Sequence, residues 1–222
     1  MTYLPTLEQV KKSKNPQPWD FGNSILYNMC KEHFFHKQDD QILTKVLFIG
    51  RIYAAAVERR KNKEDEINDD FYLDVVVPTF KNSELDKRLS ALNAINKLSI
   101  NDLPLILQTH HYLTSTLYKI TGLDKRSFSS KYLHFHLPHL YFIYDSRALT
   151  VLRTFISRVP REFAPVISLK NVDEEYTKFY CKCFEVKRQI EGSYKTILTN
   201  RQFDNILIDV ANNLTKKKLK YS

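Results

Sequence analysis

From Asp39 onward, Ile42, Val46, Ile49, Tyr53, Ala56 and Val57 recur three or four positions apart, with charged residues between them. That spacing predicts one long amphipathic helix from Asp39 or Asp40, as N-cap, to the basic run Glu58-Arg59-Arg60-Lys61, which suits the negative pole of a helix dipole. Gly50 and Ala54-Ala55-Ala56 would let a second helix approach it closely. Upstream, "KKSKNPQPWDFGNS" reads as extended and proline-broken, and Ile25, Leu26, Met29 and Cys30 then mark a helix ending near His36. Downstream, "KNKEDEINDD" reads as a charged surface loop, and "FYLDVVVPTF" as a short buried helix closed by Pro78, with a strand as the alternative. Ser83 caps a helix whose Leu85, Leu89, Leu92 and Ile95 share a face. "NDLPLILQTHHYLTSTLYKITG" carries Asn101 or Asp102 as cap, Pro104 in its first turn and Gly122 as C-cap. Helices follow at about residues 127–135 and 146–159, the second closed by Pro160, and two more at "DEEYTKFYCKCFEVKRQIEG" and "NRQFDNILIDVANNL".

These elements predict an all-α fold, a compact multi-helix bundle of about nine or ten helices, with no repeat. With 222 residues, 43% of them apolar, the chain can bury a substantial core. It reads as one domain over 1–222, or as two intimately packed lobes around a central region at about 100–160. Only four glycines argue against a barrel. The formal charge of +9 makes a nucleic acid the first partner to consider, because Lys and Arg that neutralise phosphates release counterions; a solvated cationic surface is the bland alternative. The terminal "TKKKLKYS" reads as a frayed basic end. Cys30, Cys181 and Cys183 form no disulfide framework. No stretch has the length of a membrane span and no apolar leader core stands near Met1, so the expectation is a soluble, cytoplasmic monomer without membrane contact.

The segment "LYKITGLDKRSFSSKYLHFHLPHLYFIYDSRALTVL" resembles the helix–hairpin–helix DNA glycosylases. In that family a helix ends in a glycine-bearing hairpin, a second helix follows, and a short apolar loop leads to a catalytic Asp that opens the next helix. Here "ITGLDKRS" stands at the hairpin, with one glycine where the family usually has two, and "FIYDSRALTVL" at the Asp setting. The resemblance covers about a quarter of the chain. It implies an enzyme that flips a damaged or modified base out of duplex DNA and cleaves its N-glycosidic bond, with or without strand cleavage, in repair or in defence against modified phage DNA. It further implies a catalytic role for Asp145, a lysine nucleophile at Lys125 or Lys131, and backbone contacts from Gly122, Lys125, Arg126, Ser127 and Arg147. No cofactor is expected: three cysteines cannot hold the four-cysteine iron–sulfur cluster of some relatives.

Each assignment has a plainer counterpart. Asp145 is also an ordinary N-cap for the helix that follows, and the lysines are also ordinary phosphate contacts or solvated groups. Tyr132, Phe135, Tyr141, Phe142 and Tyr144 could wall a base pocket or fill the core. His134, His136 and His139, with His110 and His111, match no zinc spacing, so they read as hydrogen-bonding residues, His134 and His136 near the substrate, and no metal is expected. Arg51, beside Gly50, reads as a pocket cation or as a surface partner of Glu58. Trp19 reads as a pocket residue or a staple for the segment before its helix. The competing function is a catalytically inactive helical module that binds nucleic acid, in which Asp145 is only a cap; a helical protein-interaction scaffold is a third.

Overall fold

In the computed structural model, which describes residues 4–61 and 68–220 with side chains up to Leu214, every regular element is helical. The α-helices are α1 (Leu7–Ser13), α2 (Asp20–Glu32), α3 (Asp39–Ile52), α4 (Asn68–Asp70), α5 (Val77–Lys81), α6 (Leu85–Asn93) and α7 (Leu103–Thr121). They continue as α8 (Arg126–His136), α9 (Ser146–Phe155), α10 (Ala164–Ile167), α11 (Glu174–Tyr194) and α12 (Asn200–Lys220). A π-helical turn, Phe71–Val76, joins α4 to α5. The fold is compact and all-α. One continuous apolar cluster runs from Val10 to Ala211 through the long helices, so burial of a shared core holds them together. Most of the predicted charged loop, residues 62–67, lies outside the described residues, as do the side chains of the basic end beyond Leu214.

α8 lies at the centre, and every residue from Phe128 to His136 is buried. It packs against α2, α3 and α7. A helix buried all round carries its polar groups inside, and they need partners there. Ser130 Oγ donates to Ser127 O at 2.9 Å and accepts from Tyr144 N at 3.0 Å. Around α8, Tyr132, Phe135, Tyr141 and Phe142 are core residues; of the five aromatics weighed as pocket walls, only Tyr144 is half-exposed.

The structure corrects the long helix predicted at 39–61. α3 stops at Ile52: Tyr53 leaves the helical region and Ala54 takes φ +53°, a left-handed conformation costing about 1 kcal/mol in a residue with a Cβ. Alanine favours helix, so the break comes from tertiary contacts. Ala55 N–H reaches back to Gly50 O at 2.7 Å, and a Cβ on Gly50 would lie 3.3 Å from Ala56 Cα. Gly50 thus makes room both for its own chain doubling back and for a second helix, α8, whose Phe128 ring would lie 3.5 Å from that Cβ. Buried lysines of the α7–α8 region bind the freed carbonyls: Lys131 that of Tyr53, and Lys125 those of Ala56 and Arg59.

Pro78 likewise does not close a helix. It sits in the first turn of α5, where the preceding π-turn has already shifted the pairing so that Val77 N–H bonds Tyr72 O. The helix read to Val159 ends at Phe155. α1 replaces part of the stretch read as extended, nucleated by a capping box between Thr6 and Gln9. α7 holds the features read for it, Pro104 in the first turn and Gly122 at φ +66° as its C-cap.

Candidate functional site

The connection from α8 to α9 is irregular, yet Leu137 and the run from Leu140 to Ile143 are buried, so their backbone groups need partners. Tyr180 donates its hydroxyl to Leu140 O at 2.5 Å and Tyr176 to Phe142 O at 3.0 Å. Asn200 Nδ2 donates to Tyr141 O at 3.3 Å, and His134 Nδ1 meets the same oxygen at 2.8 Å. Four anchors from three helices fix the path of the loop into Asp145.

Asp145 is the N-cap of α9. Its backbone is extended and its Oδ1 accepts from Ala148 N–H at 2.8 Å, as the capping reading requires. Its second carboxylate oxygen makes no hydrogen bond among the described residues. The residue is half-buried and lines two adjoining clefts, one of about 370 Å³ and one of about 350 Å³. Lys131, Tyr53, Ala54 and Arg147 line both as well. The larger has the size of a small-molecule site.

Lys131 is 4% exposed. Its ammonium donates to Ser127 Oγ at 2.7 Å and to Tyr53 O at 3.3 Å, the carbonyl released by the end of α3. Burial holds its pKa below the usual lysine value, while the negative charges of Asp145 and Asp204 partly oppose that shift. The break in α3 and the cap of α9 therefore meet at one place, where an amine and a carboxylate face the same clefts.

Asp204, on α12, is 4% exposed and lies in the wall of the larger cleft. Burial raises its pKa to about 6, against the pull of Arg201 and with a further push from Asp145. Arg201 Nη1 donates to one of its oxygens, Oδ2, at 2.5 Å; the other, Oδ1, is buried without a partner among the described residues. Asn23, on α2, completes the floor: its Oδ1 accepts from the Tyr53 hydroxyl, and its Nδ2 is also unpartnered. None of Asn23, Tyr53, Arg201 and Asp204 stood out as a site residue in the sequence. Polar residues beside apolar ones on α12 were a faint signal, indistinguishable from a solvated helix face.

The other candidates disperse. Arg147 is exposed at the mouth of both clefts, and Trp19, 72% exposed, lies on the rim of the larger. Ser127 holds Lys131 and donates to Tyr144 O at 3.1 Å. Tyr144 lines the smaller cleft, and its hydroxyl donates to Glu175 at 3.3 Å. Lys125 lines neither cleft; its buried ammonium is bound to the carbonyls of Ala56 and Arg59, and burial lowers its pKa to about 8. Arg126 is clamped by Asp173, at 2.7 and 2.9 Å from Nε, and by Glu175 at 2.8 Å, so carboxylates already hold its charge. At Gly122 the hairpin turn is packed by Lys61, whose Cβ lies 3.1 Å from the position of a glycine Cβ.

His134 and His136 are buried away from the clefts. His134 bonds Tyr27 OH at 2.7 Å through its other nitrogen and has its pKa lowered to about 4 by burial; His136 Nδ1 meets Tyr132 O at 2.8 Å. Arg51 is an exposed partner of Glu58 at 3.3 Å, as in its plainer reading. No cluster of three His, Cys, Asp or Glu with metal-binding geometry occurs among the described residues, and no described helix is long and apolar enough to cross a membrane. No family model, curated protein or solved structure matches this chain.

Proposed function

We propose that the chain is a DNA glycosylase-like enzyme that takes an everted nucleotide into the cleft and cleaves its N-glycosidic bond. The observation that carries this reading is the placement of the Lys131 amine and the Asp145 carboxylate on one cleft, with an arginine and a tryptophan at its mouth. The resemblance of the α7–α8–Asp145 segment to helix–hairpin–helix glycosylases supports it, as does the charge of +9.

The chemistry follows from the residues. Breaking the bond between C1′ and the base leaves positive charge on the sugar, which the Asp145 carboxylate stabilises. Burial favours the neutral form of Lys131, whose lone pair can form a bond to C1′ as the electron pair of the breaking bond leaves with the base. The proton shed by the nitrogen is carried to O4′, which accepts it as the C1′–O4′ bond breaks and the sugar ring opens to a protonated Schiff base. Arg147 neutralises a phosphate, and Trp19 offers a stacking face to a neighbouring base.

The test incubates the protein with duplexes carrying a panel of damaged and modified bases, then cleaves abasic sites with hot alkali. Asp145→Asn is the informative variant, because Asn caps a helix as well as Asp does but carries no charge. The expected result is base release by the parent on at least one duplex and a loss of about 10²–10³-fold in the variant. Equal rates would remove Asp145 from the chemistry. Salt-sensitive binding with no abasic product on any duplex would favour the inactive nucleic-acid-binding module, a reading that the capping role of Asp145 also permits.

A further inference from the structure

Three buried polar atoms of the larger cleft's lining lack hydrogen-bond partners among the described residues: Asn23 Nδ2, Arg201 Nε and Asp204 Oδ1. They come from two helices far apart in sequence, α2 and α12, and Asn23 and Asp204 are each 4% exposed. A buried donor or acceptor left unpaired costs about 1–3 kcal/mol, so three in one wall is an expensive arrangement unless something binds them. Their neighbours fix what they can do. The Asn23 carbonyl is engaged by Tyr53 OH, which leaves its amide N–H₂ free to donate. Arg201 holds Asp204 through Nη1, which leaves Nε–H to donate and Asp204 Oδ1 to accept. The wall therefore offers two donors and one acceptor.

We propose that Asn23, Arg201 and Asp204 read the polar edge of the everted base, and that this edge belongs to a pyrimidine. The inference rests on the reading of the cleft as a base pocket. The complement of two donors and one acceptor is an edge with two acceptors and one donor. Cytosine, uracil and thymine all present that count on their pairing edge; guanine presents one acceptor and two donors, and adenine one of each. A site built from buried polar groups rejects the wrong edge strongly, because a mismatched base leaves them unpaired again.

The experiment uses the chain's single tryptophan, Trp19 on the cleft rim, as a fluorescent reporter. The probes are five duplexes that differ at one unpaired position: 2′-fluoro nucleotides of cytosine, uracil, adenine or guanine, which resist cleavage, or a tetrahydrofuran that has no base. Cytosine and uracil order these groups differently along the edge, so the proposal predicts that the parent binds one of the two, the one whose order matches the wall, at least tenfold more tightly than the guanine, adenine and tetrahydrofuran duplexes. Asp204→Asn and Asn23→Ala should abolish that preference and leave tetrahydrofuran binding within twofold of the parent. A preference for a purine, or a pyrimidine preference unchanged in both variants, overturns the proposal and leaves the base pocket standing. Equal affinity for all five duplexes overturns both the edge reading and the base pocket beneath it.

Discussion

Lys45 and Lys131 are both buried, both bonded to backbone carbonyls, and both lowered in pKa by burial, Lys45 to about 8. Their surroundings differ. Lys45 donates to His33 O at 2.6 Å and Phe35 O at 3.2 Å and lies 3.5 Å from His136 Nε2, within a closed network where His36 bridges Asp86 at 2.5 Å and Tyr132 at 2.7 Å. Lys131 faces two clefts, and the wall of the larger contains unpartnered atoms. A lowered pKa therefore marks burial in both; access to a cleft and unsatisfied neighbours separate the two. Lys125, with its pKa near 8 and its carbonyl partners, falls on the side of Lys45. The closed network should matter to stability alone, and the open cleft should favour ligand over stability.

The largest stability effect expected from this contrast is at Asp204. Its folded pKa of about 6 lies above that of an unfolded Asp, so its contribution to stability is fully present at low pH and is lost as pH rises through 6. Asp204→Asn removes that loss. The variant should be more stable than the parent at pH 7.5 by an amount on the order of 2 kcal/mol, and the difference should vanish near pH 4. Urea denaturation at the two pH values measures it; an equal or lower stability at pH 7.5 would show that Asp204 belongs to a closed network too.

A smaller effect of opposite sign belongs to the closed side. Tyr132→Phe removes the hydroxyl bonded to His36 Nε2 and leaves a buried ring nitrogen unpaired. The expected loss is about 1.5 kcal/mol, with base release per folded molecule unchanged. A variant that folds normally and fails in base release would connect the network to the site. The smallest change is expected for Asp145→Asn, within about 0.5 kcal/mol of the parent in the same denaturation assay, since the cap survives. A much larger loss would indicate that the charge of Asp145 serves the fold.

The parts legible in the sequence are those encoded locally. α7 carries its own start in Pro104 and its own stop in Gly122, and α11 is capped by Asp173, whose side chain accepts from Tyr176 N–H. Asp145 too was visible, because a carboxylate before an apolar helical run is a cap whatever else it does. The end of α3 was not. Ala54-Ala55-Ala56 promotes helix on any local scale, and the lysines that bind the released carbonyls stand some seventy residues further along the chain. The cleft shared that fate, since its Lys131, Asp145, Asn23 and Asp204 come from four segments brought together only by packing. Lys125 and Lys131, alike in sequence as candidate nucleophiles, differ in the structure because packing puts only Lys131 on the clefts.

Borohydride trapping on a duplex with one abasic site tests whether the Lys131 amine acts with Asp145 inside the cleft, without knowledge of the base. The expected product is a covalent protein–DNA adduct, mapped by peptide mass spectrometry to Lys131, retained in Lys125→Arg and lost in a folded Lys131→Met variant. No adduct with the parent, or an adduct that maps to another amine and persists in Lys131→Met, would contradict it.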